Sequence, residues 1–425
     1  MKKIKSFLRI LGPGFITGAA DDDPSGIATY AQAGARFGYG QLWTAIFMLP
    51  FQTAVQEAAA RIGAVTGKGI AAAVRIHYGK KILYLVVGLV LIANTVNIGA
   101  DIGAMAAATK LIIPISFVIL VIIFTVSMLT LEIFTSYRVY SKILKWLVLS
   151  LLAYPLTVLI VKEPWMQILK ATFIPNIKFS FGFFFLITGV LGTTITPYMF
   201  FWEASEEVEE EREKGILSRF GKPRLNPYFI KRLRIDNFLG MFFSEIGTWA
   251  IIVVSATVLF THGIRNINTA ADAAKALEPL VKSFPNAGYI AKVIFAIGII
   301  GLGFLSVPVL AGSAAYALSE AFEWKEGLYR KLRQAHGFYG VITIAIFISL
   351  IINFVGIDPM KMLVYTAVIN GVAAVPLIFL IGRIAQNGKI MGEYKSKWLS
   401  KTILFLTFLF MGLAAIAMFA TFIKH

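Results

Sequence analysis

The sequence predicts an all-α integral membrane protein of eleven spans, with two five-span halves of inverted topology whose first helices are discontinuous, and one extra helix. Three observations predict it. Of the 425 residues, 58% are hydrophobic and 15% charged, whereas a soluble domain carries about a quarter charged residues. Apolar stretches long enough to cross a bilayer recur along the whole chain. Two of them, five spans apart, are interrupted mid-way by polar, proline-centred motifs. The net charge of +17 would by itself suit a nucleic-acid binder, but a mean hydropathy of +0.76 leaves no polar surface to dissolve the apolar segments, so no nucleic-acid partner is expected. The absence of cysteine excludes disulfide, thiolate-metal and cysteine-nucleophile chemistry, and the four histidines show no zinc spacing.

A hydrocarbon core of ~30 Å needs about 20 helical residues rising ~1.5 Å each. The first candidate span covers 13–34. It follows a short basic head, Met1-Lys2-Lys3-Ile4-Lys5, without a small-residue cleavage site, and Asp21 to Asp23 interrupt its apolar run. The head therefore reads as retained and not as a signal peptide. Spans two to five lie at 41–60, 82–108, 111–134 and 143–161, and the sixth at 183–203. Spans seven to ten lie at 237–261, 287–316, 338–356 and 359–382, and the eleventh at 401–423. One membrane domain, 1–425, then holds a first repeat at about 7–161, a second at about 183–382 and the extra helix.

With the N-terminus inside, 29 of the 40 Lys and Arg residues fall on the inner side and 11 on the outer. Such asymmetry orients a chain in the cell membrane, and an odd number of spans then leaves His425 outside. The longest polar segment, 203–236, sets Glu203, Glu206, Glu207, Glu209, Glu210, Glu211 and Glu213 ahead of eight basic residues ending at Arg234. It reads as a solvated helical extension and loop on the cytoplasmic side.

The interruptions are Asp21-Asp22-Asp23-Pro24-Ser25-Gly26 in span one and Gly192-Thr193-Thr194-Ile195-Thr196-Pro197-Tyr198 in span six. Proline removes a backbone donor and disfavours helix in the residue before it, and glycine supports non-helical dihedrals, so each motif splits its span into two half-helices. The carbonyls so released are tolerated at membrane depth only where they line a protein or water-filled cavity. Five spans between the breaks is an odd number, which inverts the second half relative to the first, and sites in such carriers form near the midplane where the half-helix ends meet. A plainer reading exists for each motif alone, since Asp23 before Pro24 is also a good helix cap. Three consecutive carboxylates are harder to explain that way, because each charged Asp costs at least ~2.5 kcal/mol at the bilayer centre.

Further residues carry a resemblance. Gly12-Pro13-Gly14 followed after eight residues by Asp23-Pro24, then Gly34-Ala35-Arg36-Phe37-Gly38-Tyr39, then Gln56 through Arg61 with Gly63, Thr66 and Gly67, are similar to the opening of the natural resistance-associated macrophage protein (Nramp) metal-ion transporters, which have the leucine-transporter fold. In that family the first break reads Asp-Pro-Gly-Asn and the sixth Met-Pro-His. The Asp, the Asn, the Met sulfur and a carbonyl three residues before the Met bind the metal. Carried over, the resemblance implies Asp23 as the charged ligand and the Thr193 carbonyl as another, with Gly26 where the Asn would stand and Thr196 where the Met would stand. Tyr198 replaces the His. Losing the thioether shifts the donor set toward oxygen, which suits Mg²⁺ or Mn²⁺.

By the same resemblance Asp101 takes a proton-route position, with Asn97 a turn earlier, and Glu203 the place of a second His. Asp22 and Asn370 join the candidate pathway, Asn370 and Glu245 equally as helix-to-helix hydrogen bonds. Glu57 and Glu132, near span ends, read as structural. Tyr30, Phe200, Phe201 and Trp202 read as packing or as the wall of an organic-cation pocket. The function expected is a secondary carrier moving a divalent cation inward through the lipid bilayer, with the cation as substrate, no cofactor, and proton coupling left open. The alternatives are a carrier of an amine or amino acid and a non-transporting membrane sensor. No nucleophile–base pair or hydrolytic metal cluster points to an enzyme.

Overall fold

The computed structural model describes residues 12–134, 152–161, 163–217, 223 and 225–423. Apart from one isolated bridge between Leu217 and Pro223, their regular structure is helical. The basic head, the 138–145 cluster, residues 143–151 of the fifth span and His425 lie outside the described residues.

The first span forms two helices, α1 (Pro13–Asp21) and α2 (Pro24–Phe37). There follow α3 (Trp43–Thr66), a short α4 (Ile70–His77), α5 (Lys80–Lys110), α6 (Phe117–Phe134), α7 (Ala153–Ile160) and a short α8 (Trp165–Phe173). The sixth span is likewise divided into α9 (Phe181–Thr194) and α10 (Pro197–Glu213). After it come α11 (Pro227–Ser255), α12 (Ala287–Phe322), α13 (His336–Ile352), α14 (Pro359–Gln386) and α15 (Trp398–Ile423). Seven of the expected spans are helical stretches long and apolar enough to cross a bilayer by length and composition, the two halves of the divided sixth (Phe181–Glu213) taken together: the third, fourth, sixth to eighth, tenth and eleventh. Of the others, the first is divided, the ninth has 17 residues, the fifth is described only in part, and the second carries Gln52, Gln56, Glu57 and Arg61.

Helices outrun the apolar stretches because hydropathy marks membrane depth, whereas a helix continues until its backbone is stopped. The second runs on to Gly67, whose φ of 63° is a left-handed stop. The eighth runs to Glu323, also left-handed at φ 59°. The two broken spans sit in the middle of the molecule. α1 packs on α10 and α11, α2 on α9, α11 and α14, and α9 on α14. The α9–α14 contact is close: a Cβ on Gly192 would lie 2.1 Å from Ala367 O and 2.2 Å from Gly371 N, an approach only glycine allows.

Ion pairs and hydrogen bonds gather the segments expected on the inner side onto one face. Arg61 bonds Glu57, Ser396 and the Tyr394 carbonyl; Arg234 bonds Glu57; Arg75 pairs with Glu323; and Arg212 donates to Tyr329. The opposite face is tied by Gln32 to Arg265 O and Ile267 N–H, and by Tyr39 and Glu163 to Thr257. The structural reading of Glu57 agrees with its place between two arginines.

Candidate functional site

At the first break Asp22 leaves the helix (φ −79°, ψ 51°) and Asp23 is extended (φ −65°, ψ 173°) before Pro24 starts α2. Asp23 Oδ1 accepts from Ser25 Oγ at 2.6 Å and from Gly26 N–H at 2.8 Å, so the carboxylate caps α2 with one oxygen. The other oxygen accepts from Asn97 Nδ2 at 3.0 Å. Asn97 extends the network in both directions: Nδ2 lies 3.5 Å from Asp101 Oδ2, and Oδ1 accepts from Asn370 Nδ2 at 3.3 Å. Asp101 Oδ2 also accepts from Ser306 at 2.9 Å, while Oδ1 has no hydrogen-bond partner among the described residues.

At the second break Ile195 and Thr196 (φ −105°, ψ 143°) separate α9 from α10. Thr196 is fully buried and its Oγ1 has no hydrogen-bond partner among the described residues. The carbonyl of Thr193 belongs to the last turn of α9, where a helix leaves carbonyls without intrahelical partners. Three contacts stitch the breaks together. Thr193 Oγ1 lies 3.1 Å from Ser25 Oγ, Tyr30 OH 2.7 Å from Thr194 Oγ1, and Tyr198 OH donates to the Ala20 carbonyl at 3.0 Å. Tyr198, set on the second break, thus satisfies backbone in the last turn before the first.

The structure brings Asp23, Gly26, Thr193 and Tyr198 to the meeting of the breaks and joins Asp101 and Asn370 to them through Asn97. Gly26 offers no side chain; its N–H serves Asp23, and a Cβ there would lie 3.2 Å from Tyr30 Cε2. Asp22 turns to α11, with Ser244 Oγ at 3.4 Å and Gly247 beside it. Asp21 accepts from Ser244 at 2.6 Å and from Gln52. Glu245 is 5% exposed, and neither of its oxygens has a hydrogen-bond partner among the described residues. Glu203 stands apart from the breaks, accepting from Thr17 Oγ1 and Asn237 Nδ2. Tyr30, Phe200, Phe201 and Trp202 are all buried in the core.

One expectation is corrected. The acidic run after span six is helical as far as Glu213, but Glu203, Glu207 and Glu211 are 0%, 1% and 0% exposed. Spaced four apart, they share one helix face, and that face is turned inward. The same spacing was the signal that could have separated them from the solvated glutamates. Ser25, two residues from Asp23, and Ser306 complete the network, and only the fold brings Ser306 to it.

Among the described residues no Lys or Arg forms an ion pair with Asp21, Asp22, Asp23, Asp101 or Glu245. Nor do three His, Asp or Glu side chains converge tightly enough to hold a metal ion. The donors at the breaks are carboxylate, hydroxyl, amide and backbone oxygens, without sulfur or imidazole. Such a set suits hard cations that keep part of their water.

Residues 14–421 match the family model described as natural resistance-associated macrophage protein-like. The chain belongs to the Nramp family. A divalent metal cation transporter, MntH, of Caldanaerobacter subterraneus subsp. tengcongensis is 26% identical over 403 residues, covering 92% of this chain and 88% of that relative. Among solved structures, a manganese transporter of Eremococcus coleocola in complex with an aromatic bis-isothiourea compound superposes with a TM-score of 0.74 at 16% identity, covering 97% and 86% of the two chains. MhsT in complex with L-phenylalanine superposes with a TM-score of 0.60 at 13% identity, over 96% and 97%. This Nramp chain therefore has the leucine-transporter-like arrangement of two inverted five-helix halves, with helices one and six discontinuous and an eleventh helix added.

Proposed function

We propose that this Nramp protein is a secondary transporter that moves a divalent metal cation inward across the cell membrane and accepts the hard ions Mg²⁺ and Mn²⁺. The observation that carries the reading is the Asp23 carboxylate, buried between two helix breaks, with no Lys or Arg among the described residues paired to it and neither sulfur nor imidazole among its hydrogen-bond partners. A buried carboxylate without a cation is costly, and a cation arriving as substrate supplies the missing charge. Asp23 is the charged ligand, with the Thr193 carbonyl and Thr196 hydroxyl as neutral donors and water filling the remaining positions. Gly26 contributes room and an N–H on Asp23. Asp101, Asn97 and Asn370 hold the side of Asp23 away from the helix cap, and Asp22, Tyr198 and Glu203 line the approach. The names of the MntH relative and of the superposing manganese transporter support the substrate class, and the missing thioether supports the harder ions.

The test uses purified protein. Calorimetry is expected to show Mg²⁺ and Mn²⁺ binding to the wild type with substantial loss in Asp23→Ala, and liposomes carrying an interior metal dye and a pH probe should show uptake and report whether protons accompany it. Divalent binding unchanged by Asp23→Ala would overturn the reading.

A further inference from the structure

The loop between α12 and α13 divides its charges between two clefts. Glu323 and Glu326 border one of them together with Glu209, Glu320, Arg75 and Arg212, so both signs of charge meet there. Trp324 borders that cleft and also a larger one of about 730 Å³, lined by Lys325, Arg330, Arg333, His336 and Gly337. Among the described residues no Asp or Glu lines the larger cleft. Arg330 is partly offset: its Nε donates to the Glu326 carbonyl at 3.0 Å, its guanidinium lies 4.9 Å from the centre of the Tyr329 ring, and the Glu326 carboxylate shares its field. Lys325 and Arg333 are exposed, and neither forms an ion pair among the described residues. Two positive charges therefore stand uncompensated at the cleft.

Aromatic rings set the depth at which it lies. Tyr84 near the start of the third span, Phe322 at the end of α12 and Trp324 are all exposed. Their rings form a row, Tyr84 to Phe322 at 6.3 Å and Phe322 stacked on Trp324 at 5.3 Å. Trp324 closes against α13, where a Cβ on Gly337 would lie 2.6 Å from its Cε3. Exposed Tyr and Trp at span ends belong to the headgroup layer of a bilayer. The row thus leads from the apolar outer side of α5, where Leu85 and Ile92 are exposed, to the basic cleft.

We propose that the cleft between Trp324, Lys325, Arg333 and His336 binds the phosphate headgroup of an anionic phospholipid, whose acyl chains pass along the Tyr84–Phe322 row. Ammonium and guanidinium groups donate charge-assisted hydrogen bonds to phosphate oxygens, and basic pockets between helix ends hold anionic headgroups. Size and surroundings favour a lipid over a free phosphate ion. The volume is that of a small-molecule site, and only a lipid gains from the aromatic row beside the charges.

Purified full-length protein in detergent is titrated with phosphatidylglycerol or phosphatidylcholine, and bound lipid is counted by native mass spectrometry. The wild type is expected to retain phosphatidylglycerol in preference. Lys325→Gln combined with Arg333→Gln should weaken that binding about 30-fold, about five-fold for each charge. Lys397→Gln combined with Lys401→Gln removes the same charge from an exposed stretch of the same face and should leave it unchanged. Equal losses in the two variants, no loss in the first, or equal binding of the two lipids overturns the site. Displacement of the lipid by a tenfold excess of inorganic phosphate would make it a site for the free anion and overturn the lipid assignment. A second measurement reads the place of binding. Gln334 also lines the cleft, and the chain has no cysteine, so Gln334→Cys carries a single thiol. It should react with a neutral maleimide more slowly in nanodiscs containing phosphatidylglycerol than in phosphatidylcholine alone, whereas Lys397→Cys should react alike in both. The same ratio of rates at both positions overturns the proposal.

Discussion

On the proposed reading, Thr196 and Gly26 set how closely a cation can be gripped at the breaks. Thr196 presents a buried, unpartnered hydroxyl, and sulfur in its place would favour a softer ion. Thr196→Met is expected to raise Mn²⁺ affinity relative to Mg²⁺ by ~1 kcal/mol, about five-fold, in competition calorimetry. An unchanged ratio would mean that the side chain at 196 does not reach the ion. Gly26→Asn is the harder companion, because its Cβ meets Tyr30 and Thr193 at 3.2 and 3.4 Å. Residues that punctuate the backbone were legible in the sequence: Asp23 before Pro24 and Thr196 before Pro197 could be read because proline and a capping acid act locally. Asn97 linking Asp23, Asp101 and Asn370 was legible only in part, since the Asn97–Asp101 spacing lies within one helix while the link to Asp23 spans two. Tyr198 reaching the Ala20 carbonyl depends on which helix faces meet, and no local signal states that.

At the scale of elements, helix contacts through glycine carry the packing of the divided spans. Gly192 of α9 and Gly371 of α14 bring two backbones together, so even one methyl group at 192 would overlap Ala367 O and Gly371 N. Backbone cannot yield as a side-chain tip can. Gly192→Ala is therefore expected to lower the melting temperature of the purified protein by several degrees, at a cost of about 1–3 kcal/mol or more. Gly88→Ala supplies the contrast. It stands inside α5 with nothing within 4 Å of the added Cβ, so helix propensity decides, and stability should hold or rise by roughly 0.5–1 kcal/mol. If both variants melt alike, α9 and α14 are not in that contact. The spans were legible from hydropathy, yet their ends were not, because α3 and α12 continue to left-handed stops at Gly67 and Glu323. The buried face of α10 escaped for the opposite reason: a run dense in glutamate outweighs its own four-residue spacing when charge is read before periodicity.

Across the whole molecule, charge asymmetry and contact geometry make the same division of the loops. The basic loops expected inside are joined through Arg61 to Ser396, Arg75 to Glu323, Arg212 to Tyr329 and Arg234 to Glu57. The loops expected outside are joined through Gln32 to Arg265 and Ile267, and through Glu163 to Thr257. Grouping alone does not say which face is cytoplasmic; the excess of Lys and Arg on one face predicts that it is the inner one, since basic loops resist translocation. A cysteine-free chain lets each face be labelled separately. Asn266 and Lys331 are both exposed, one on each side. Asn266→Cys is expected to react with an impermeant thiol reagent in intact cells, and Lys331→Cys only after the membrane is opened. Labelling of both from outside would break the separation of the two faces. Labelling of Lys331→Cys alone would keep the two faces and reverse the orientation, placing the loops joined through Arg61, Arg75, Arg212 and Arg234 outside.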